Sequence, residues 1–563
     1  METGKKNKSM IAITFLAALA ASVFAVLFPY AKNGIPGHVI DLIYSLERIE
    51  GLKDALLHGD FFASLYPRFY GGYGYATPSF YSDVFFLPAA LFRIAGLSPT
   101  QSFKLFVALI VAAHFSIGAY SYKKISGNPF MGIVSAFIST TSVYFIWEIV
   151  YRAGISSYIA TIFLPVLAYA VFDLFTGNKE NNKCGNRTYL FTIAFLGMVL
   201  SHVMTAAVAF VFTVIVFVLM LPLKKQRSII FSMDSVKRLI SYAVLTIGLS
   251  AFYTVPMTEQ MMSGHFYYEK PLVNIGDFVV SFTSLFGLRA YTVDYSAYIG
   301  LGAALWIAVL TVIVLACKKK KLRAAAVLTV SGVILSALIT DIFPWSIFNS
   351  TPVNGLQFSF RLFPFAICLI ITGFVLALKD EAKNIKIVTL TVVTAFSLIF
   401  AFVENKDVKA DELSLSFGEE FLDTEGTYYT GMGTEWLPLN ADMTSFTEKV
   451  VKAGDASFSF ARNGYNSYSF EDTDGGHDFY TCPLIFYKGY KATVTTEDGT
   501  DNSLLVESGD TGLVTVKNPD KTGGIVTLSY KKTAMKNVSI AVSFIFAVAF
   551  LMCIRKKKKD HEQ

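Results

Sequence analysis

The sequence predicts an all-α polytopic membrane protein with a β-rich domain placed just before its last helix. Three observations predict it. Of 563 residues, 53% are hydrophobic and only 16% charged, with a mean hydropathy of +0.50, a balance outside that of soluble globular chains. Apolar runs of roughly 17 to 25 residues recur, each long enough to cross the hydrocarbon core as a helix. The block 404–535 departs from this pattern: it is rich in Asp, Glu, Thr and Gly and holds short alternating runs.

The spans fall near 10–30, 103–122, 129–147, 155–175, 188–201, 205–222, 238–256, 297–317, 322–340, 361–378, 386–403 and 536–554, about twelve in all. The first is long and lacks a clean small-residue cleavage site, so it reads as an anchor and not a signal peptide. The apolar stretch 83–97 reads as an interfacial or re-entrant helix. Counting it as a span instead, with 188–222 merged into one helix, would place Lys123 and Lys124 outside. Lysine and arginine set the orientation. Lys5, Lys6 and Lys8, then Lys224, Lys225 and Arg227, then the run 318–321 with Arg323, then 555–559 all flank spans. The positive-inside rule is obeyed throughout if all of them are cytoplasmic. Both termini are then cytoplasmic in the plasma membrane. The loop 31–100, the loops 257–296 and 341–360, and the block 404–535 all face outward. These anchors account for the net charge of +6, which therefore gives no sign of a nucleic-acid partner.

The five cysteines are scattered, Cys482 alone in an outward segment, so no disulfide framework is implied. In the block before the last span, the runs ATVTT, GLVTV and GIVTLSY alternate apolar and polar residues. The turn signals EDGTDN, ESGDTG and NPDKTGG separate them. A small sandwich-like β domain is expected there.

The segment from Gly37 to Leu91 is far more elaborate than an anchor needs. It places Asp41, Glu47, Arg48, Glu50 and Arg68, with many aromatic and glycine residues, between apolar runs. Charge at bilayer depth is costly, and such residues usually line a cavity. With the orientation above, Arg152, His202, Glu259 and Arg361 stand near outward helix ends, on the side of Asp41, Arg68 and the run 71–75. That is the convergence an outward-facing site requires. Singly, each is more often an interfacial anchor or a helix cap, and Asp41 would cap a helix over Leu42–Leu57. Tyr70, Tyr73, Tyr75, Phe80 and Tyr81 suit either an interfacial aromatic belt or stacking on a sugar face.

An ordered set of short motifs carries a family resemblance over nearly the whole chain. It comprises Asp41, then RIEGL from Arg48, then the Pro67–Tyr75 stretch continuing as ATPSFY. Next come Tyr151-Arg152-Ala153, Leu200-Ser201-His202, and SAFYTVPMTEQ ending in Glu259 and Gln260. The set closes with QFSFR (Gln357 to Arg361), EWLP from Glu435, and CPLIFYKGYKA from Cys482. This set resembles YfhO-like bacterial membrane proteins, which belong to the GT-C class of polyprenyl-phosphate-dependent glycosyltransferases. Relatives also carry the label 6-pyruvoyl-tetrahydropterin synthase-related membrane protein. The chain departs from the family at Ser45, where a histidine is usual, and at Ser156–Ser157, where a Gly-Glu pair is usual. His38 also lies three residues before Asp41 instead of four after it.

The resemblance implies a GT-C-like membrane domain over 1–403, an extracytoplasmic β domain over 404–535, and a last helix with a basic tail over 536–563. It implies transfer of a sugar from a polyprenyl-phosphate carrier to a cell-envelope polymer on the outer face of the membrane. Asp41 would be the catalytic base. Arg152 and Arg361, with Arg68 and His202 behind them, would hold the donor phosphate. Glu259, Gln357 and Tyr75 would support them. The lipid-linked sugar serves as donor with no separate cofactor, made by a polyprenyl-phosphate sugar synthase and delivered by a flippase. No glycine-rich phosphate cradle or dinucleotide fingerprint appears, in keeping with a lipid-linked donor. Pterin chemistry does not fit: the histidines at 38, 58, 114, 202, 265, 477 and 561 show no HxH or HxxxH spacing, and a catalytic zinc draws on three protein ligands. No metal ligand set is read. Two other classes remain consistent with many helices and an outward site, namely a glycolipid or polymer transporter and a non-catalytic envelope scaffold. A transporter should show inverted repeats or broken helices at mid-membrane.

Overall fold

The structure is a computed structural model that describes residues 2–33, 41–176, 189–270, 273–287, 299–319, 322–406, 434–446 and 448–562. Among them, eight helices are long and apolar enough to cross a membrane. A ninth such span forms if Pro129–Thr140 and Val143–Tyr151, bent by 54° at their junction, are taken together. The three remaining expected spans are shorter apolar helices, Tyr189–Val199, Gly302–Lys318 and Arg323–Leu338; the expected interfacial segment is Val84–Ile94. The protein is a multi-pass membrane protein with a β domain before its last helix. His38 and Cys184 lie outside the described residues.

The chain divides into two compact units that cut across the sequence-based boundaries at 403 and 535. The first unit holds residues 1–42, 100–247 and 273–416; the second holds 43–99, 248–272 and 417–563.

In the first unit, close helix approach depends on small residues. A Cβ on Gly373 would lie 2.7 Å from the Ala325 carbonyl oxygen. One on Gly332 would lie 2.8 Å from that of Ala366. Arg323–Leu338 and Phe363–Leu378 thus pack backbone to backbone, the usual solution where lipid removes the hydrophobic drive for helix association. Buried polar groups add specific ties. His114, 1% exposed, sits 3.0 Å from the Tyr158 hydroxyl and 3.1 Å from Ser139 Oγ, linking three helices. Asn128 caps Pro129–Thr140 by accepting from the Phe130 N–H at 2.9 Å.

In the second unit, the helix Leu42–Leu57 forms where the sequence predicts it. The helix Met233–Met261 enters this unit at Gly248, where a Cβ would strike the Phe546 ring of the last helix, Ala534–Glu562. Pro256 has no N–H, so the carbonyl four residues earlier loses its helical donor. That carbonyl, of Phe252, accepts from Lys536 Nζ at 3.1 Å. A helix-breaking residue therefore becomes a docking point.

The β domain is a single antiparallel sheet of nine strands: β1 Val450–Ala453, β2 Ala456–Ser459, β3 Ala461–Gly464, β4 Ser467–Asp472, β5 Phe479–Ile485, β6 Tyr490–Thr495, β7 Asp501–Ser508, β8 Leu513–Lys517 and β9 Gly524–Tyr530. Its order is β2-β1-β5-β8-β7-β6-β9-β4-β3. The three alternating runs are β6, β8 and β9, and the three turn signals are the connections between β6 and β9. The two halves of the expected sandwich-like domain are continuous through β7, which pairs with both β6 and β8. Its ends curl together: Phe458 of β2 packs on Phe470 of β4 and Tyr480 of β5, each at 6.0 Å between ring centroids. Cys482 is fully buried in β5, and burial raises its thiol pKa. A surface thiol probe has no target there.

Candidate functional site

The site centres on the end of the bent span. Val143–Ile146 leads into a π-turn over Trp147–Tyr151, closed by the Arg152 N–H donating to the Trp147 carbonyl at 3.1 Å. Such turns recur at functional positions because they insert one residue and rotate the chain beyond it. The next residue, Ala153, takes φ +52°, a left-handed conformation that costs a non-glycine residue about 1–2 kcal/mol. The chain then re-enters a helix at Ile155.

This geometry turns Arg152 inward, where it is 7% exposed. Its Nη1 donates to Glu148 Oε1 at 2.8 Å and to Ser157 Oγ at 3.4 Å. Its Nη2 lies 3.3 Å from Asp41 Oδ2, and the Asp41 N–H donates to the Arg152 carbonyl at 3.1 Å. Ser157 also donates to Glu148 Oε1. Glu148 is buried, with its side chain 1% exposed, whereas the Asp41 side chain is 23% exposed. One guanidinium therefore bridges a closed carboxylate and an open one. Asp41 immediately precedes the helix Leu42–Leu57.

A second edge comes from the segment 357–361. Gln357 also adopts a positive φ, +63°, so that Phe358 and Phe360 stack with centroids 4.9 Å apart. The Arg152 guanidinium lies over both rings, at 5.8 and 5.5 Å. Arg361 lies over Phe358 at 5.2 Å and donates from Nη1 to the Leu356 carbonyl at 3.0 Å. Two cations thus share the Phe358 ring, a contact worth about 0.5–2 kcal/mol for each. Gln357 contributes its backbone bend to this arrangement. His202 caps the helix Val203–Met220, with Nδ1 3.3 Å from the Thr205 N–H and 2.8 Å from the Thr205 hydroxyl.

The other sequence-derived candidates belong to the second unit. Arg68 pairs with Asp54 at 2.9 Å and with Glu47 at 3.5 Å, and lines a cavity of about 190 Å³ with Gly51, Tyr66, Arg462 and Tyr465. Glu259 accepts from the Thr533 hydroxyl at 2.5 Å and pairs with Lys488 at 3.2 Å. Tyr75 is 1% exposed, its hydroxyl accepting from the Trp436 N–H at 3.2 Å. The aromatic run expected at a membrane belt or a sugar surface packs largely within this unit's core. Phe80 stacks on Trp436 at 4.2 Å, and Tyr73 stacks on Phe446 at 4.8 Å.

No protein-family model matches the chain. It is similar to an uncharacterized protein of Lactococcus lactis subsp. cremoris (strain MG1363), 26% identical over 265 residues. That stretch covers 45% of this chain and 40% of the relative. Among solved structures it is similar to the arabinofuranosyltransferase AftD from Mycobacteria, at 15% identity and a TM-score of 0.43 over 69% of this chain and 27% of AftD. A mutant of the same protein gives 14% identity and the same TM-score over 69% of this chain and 28% of its own. The chain thus spans under half of either protein, and an overlap this loose carries no argument about its chemistry.

Glu148 is the site residue that motif reading missed. It lies just past the expected span 129–147, in a run that is otherwise apolar, and it stands four residues before Arg152. A glutamate and an arginine at that spacing share a helix face. At membrane depth the pair is a stronger signal than either residue alone.

Proposed function

We propose that this chain is a membrane glycosyltransferase of the GT-C kind, one that moves a sugar from a polyprenyl-phosphate carrier to a cell-envelope acceptor on the outer face of the membrane. The observation that carries the reading is the Asp41–Arg152 pair, a half-open carboxylate 3.3 Å from a buried guanidinium. It is flanked by two residues held in left-handed backbone. The ordered motif set from Asp41 to Cys482 supports it independently, since the residues that meet here are among those that resemble the YfhO-like family.

The transfer needs a base and a cationic cradle. The acceptor hydroxyl oxygen attacks the anomeric carbon, and its proton passes to the Asp41 carboxylate. The bond from the anomeric carbon to the phosphate oxygen breaks, and the electron pair leaves with the polyprenyl phosphate. Arg152 and Arg361 offset that charge, because a guanidinium fork fits phosphate oxygens and stays protonated. Phe358 lies against both cations and Phe360 against Arg152. In this reading the basic clusters are cytoplasmic, and the β domain and the loop 31–100 face outward.

The test is a transfer assay with purified full-length protein, a polyprenyl-phosphate sugar and isolated envelope polymer, alongside glycan analysis of cells with and without the protein. Lipid-dependent labelling of the polymer is expected. Equal labelling from a nucleotide sugar without lipid would overturn the donor class, and unchanged envelope glycans would overturn the activity.

A further inference from the structure

The two carboxylates on Arg152 are not equivalent. Glu148 is held from several sides: it is 1% exposed, bonded to Nη1 at 2.8 Å, fixed four residues away on the same turn, and engaged by Ser157. Asp41 meets Nη2 at 3.3 Å with its side chain 23% exposed. An arriving anion would exchange with the weaker, wetter contact. The donor's phosphodiester brings one negative charge, as a carboxylate does, but spreads it over two free oxygens that a guanidinium fork can bind together, with the second cation Arg361 over the same Phe358 ring.

We propose that the Asp41–Arg152 pair is a latch that the donor's phosphate opens, an inference that rests on the glycosyltransferase reading above. Glu148 and Ser157 are positioning residues that keep Nη1 occupied and Nη2 presented. Without donor, Asp41 is tied to Arg152. With donor, the phosphate takes Nη2, aided by Arg361 across the shared Phe358 ring, and the Asp41 carboxylate is released toward the acceptor hydroxyl. The base becomes available when the leaving group is seated, which suppresses proton transfer in an empty site. The exchange is non-covalent and consumes nothing.

The latch makes an internal carboxylate compete with the ligand, so removing that carboxylate must tighten phosphate binding. The experiment measures binding of farnesyl phosphate, inorganic phosphate and farnesol to the full-length protein in detergent. Wild type is compared with Asp41→Asn and Asp41→Ser, each first confirmed folded by thermal unfolding. Both variants should bind farnesyl phosphate about tenfold more tightly, inorganic phosphate should shift in the same direction, and farnesol should not change. In an Arg152→Gln background the Asp41 substitutions should lose their effect, since the two residues act as one unit. Unchanged or weaker farnesyl phosphate binding in the Asp41 variants, with wild type binding normally, overturns the latch and leaves the glycosyltransferase reading standing. Folded wild-type protein that binds farnesyl phosphate no better than farnesol overturns both.

Discussion

Two buried ion-pair clusters, one in each unit, differ in how far they are closed to water, and the proposed function turns on that difference. In the second unit Arg48 and Asp83 form a closed pair. Arg48 donates from Nε to Asp83 Oδ1 at 2.7 Å and approaches it through Nη2 at 2.6 Å. The other Asp83 oxygen accepts from the Tyr66 hydroxyl at 2.7 Å. The guanidinium lies 4.1 Å over the Phe86 ring, and both side chains are 5% exposed or less. Burial alone would push the Arg48 pKa down, but Asp83, with Tyr44 and Tyr66, offsets it and the group is raised. In the first unit, Arg152 is also buried, yet its second carboxylate is part-exposed and more distant. A pair closed on both sides reads as structure, whereas one open to water reads as a site.

The largest effect should come from the open cluster. Asp41→Asn keeps size and helix-capping ability but removes the proton acceptor. Turnover in the transfer assay should fall about 10² to 10⁴-fold, with thermal unfolding unchanged. A normally folded Asp41→Asn protein with near wild-type turnover would show that the carboxylate is structural and that the contrast between clusters is false. The closed cluster should behave oppositely. Asp83→Ala leaves the Arg48 charge buried without that carboxylate, which typically costs about 3–5 kcal/mol. Unfolding in detergent should shift down accordingly or expression should fail, while any folded fraction keeps its turnover per molecule. A stable Asp83→Ala protein lacking activity would move the site into the second unit.

A third, smaller effect depends on pH. Glu50 is also in the second unit. Burial would raise its carboxyl, but hydrogen bonds from Arg93 and Lys53, the latter at 2.5 Å, win and hold it below the usual glutamate range. A carboxyl depressed in the folded state contributes stability that is fully present above its unfolded pKa, about 4.3, and lost as pH falls through the lower folded value. The unfolding temperatures of wild type and Glu50→Gln should therefore differ by a constant amount at neutral pH and converge in acid. A gap that widened on acidification would refute the assignment.

Local patterns were the legible part. Each expected span contains an apolar helix, and the turn chemistry of NPDKTGG and its neighbours located β6 to β9, because hydrophobic period and turn residues act over a few positions. Asp41 and Arg152 were legible as motif residues, and the structure joins them. Three things were not legible, two of them for a long-range reason. The grouping of residues 248–272 with the last helix depends on Gly248 admitting Phe546 and on Lys536 answering Pro256, contacts nearly three hundred residues apart. The run from Tyr70 to Tyr81 resembled a surface belt, since an aromatic cluster looks the same in sequence whether its partners are lipid, sugar or Trp436 and Phe446. Glu148 was hidden by a span boundary: it falls just past the expected end at 147, and only its spacing of four from Arg152 marks it.

The finest distinction concerns backbone strain, which occurs in both units and so cannot mark a site alone. Ala153 has φ +52° beside Arg152; Lys521 has φ +54° in the exposed β8–β9 turn. Replacing either with glycine relieves a left-handed non-glycine residue, and each change should stabilise the folded protein by about 1 kcal/mol, seen as a small rise in unfolding temperature. Their functional consequences should diverge. At Lys521 the side chain makes an exposed pair with Asp478 at 3.2 Å, far in sequence from the proposed chemistry, so turnover stays at the wild-type level. At Ala153 the strained residue fixes the direction in which the π-turn hands Arg152 to Asp41 and Glu148. Glycine there widens the range of backbone angles, and misplacing a guanidinium by even an ångström can cost up to about 10²-fold. Lys521→Gly and Ala153→Gly should therefore be equally stabilised, with the second clearly slower in transfer. Equal turnover in the two would mean that the strain at Ala153 is incidental to the fold and that Arg152 is placed by Glu148 and Ser157 alone.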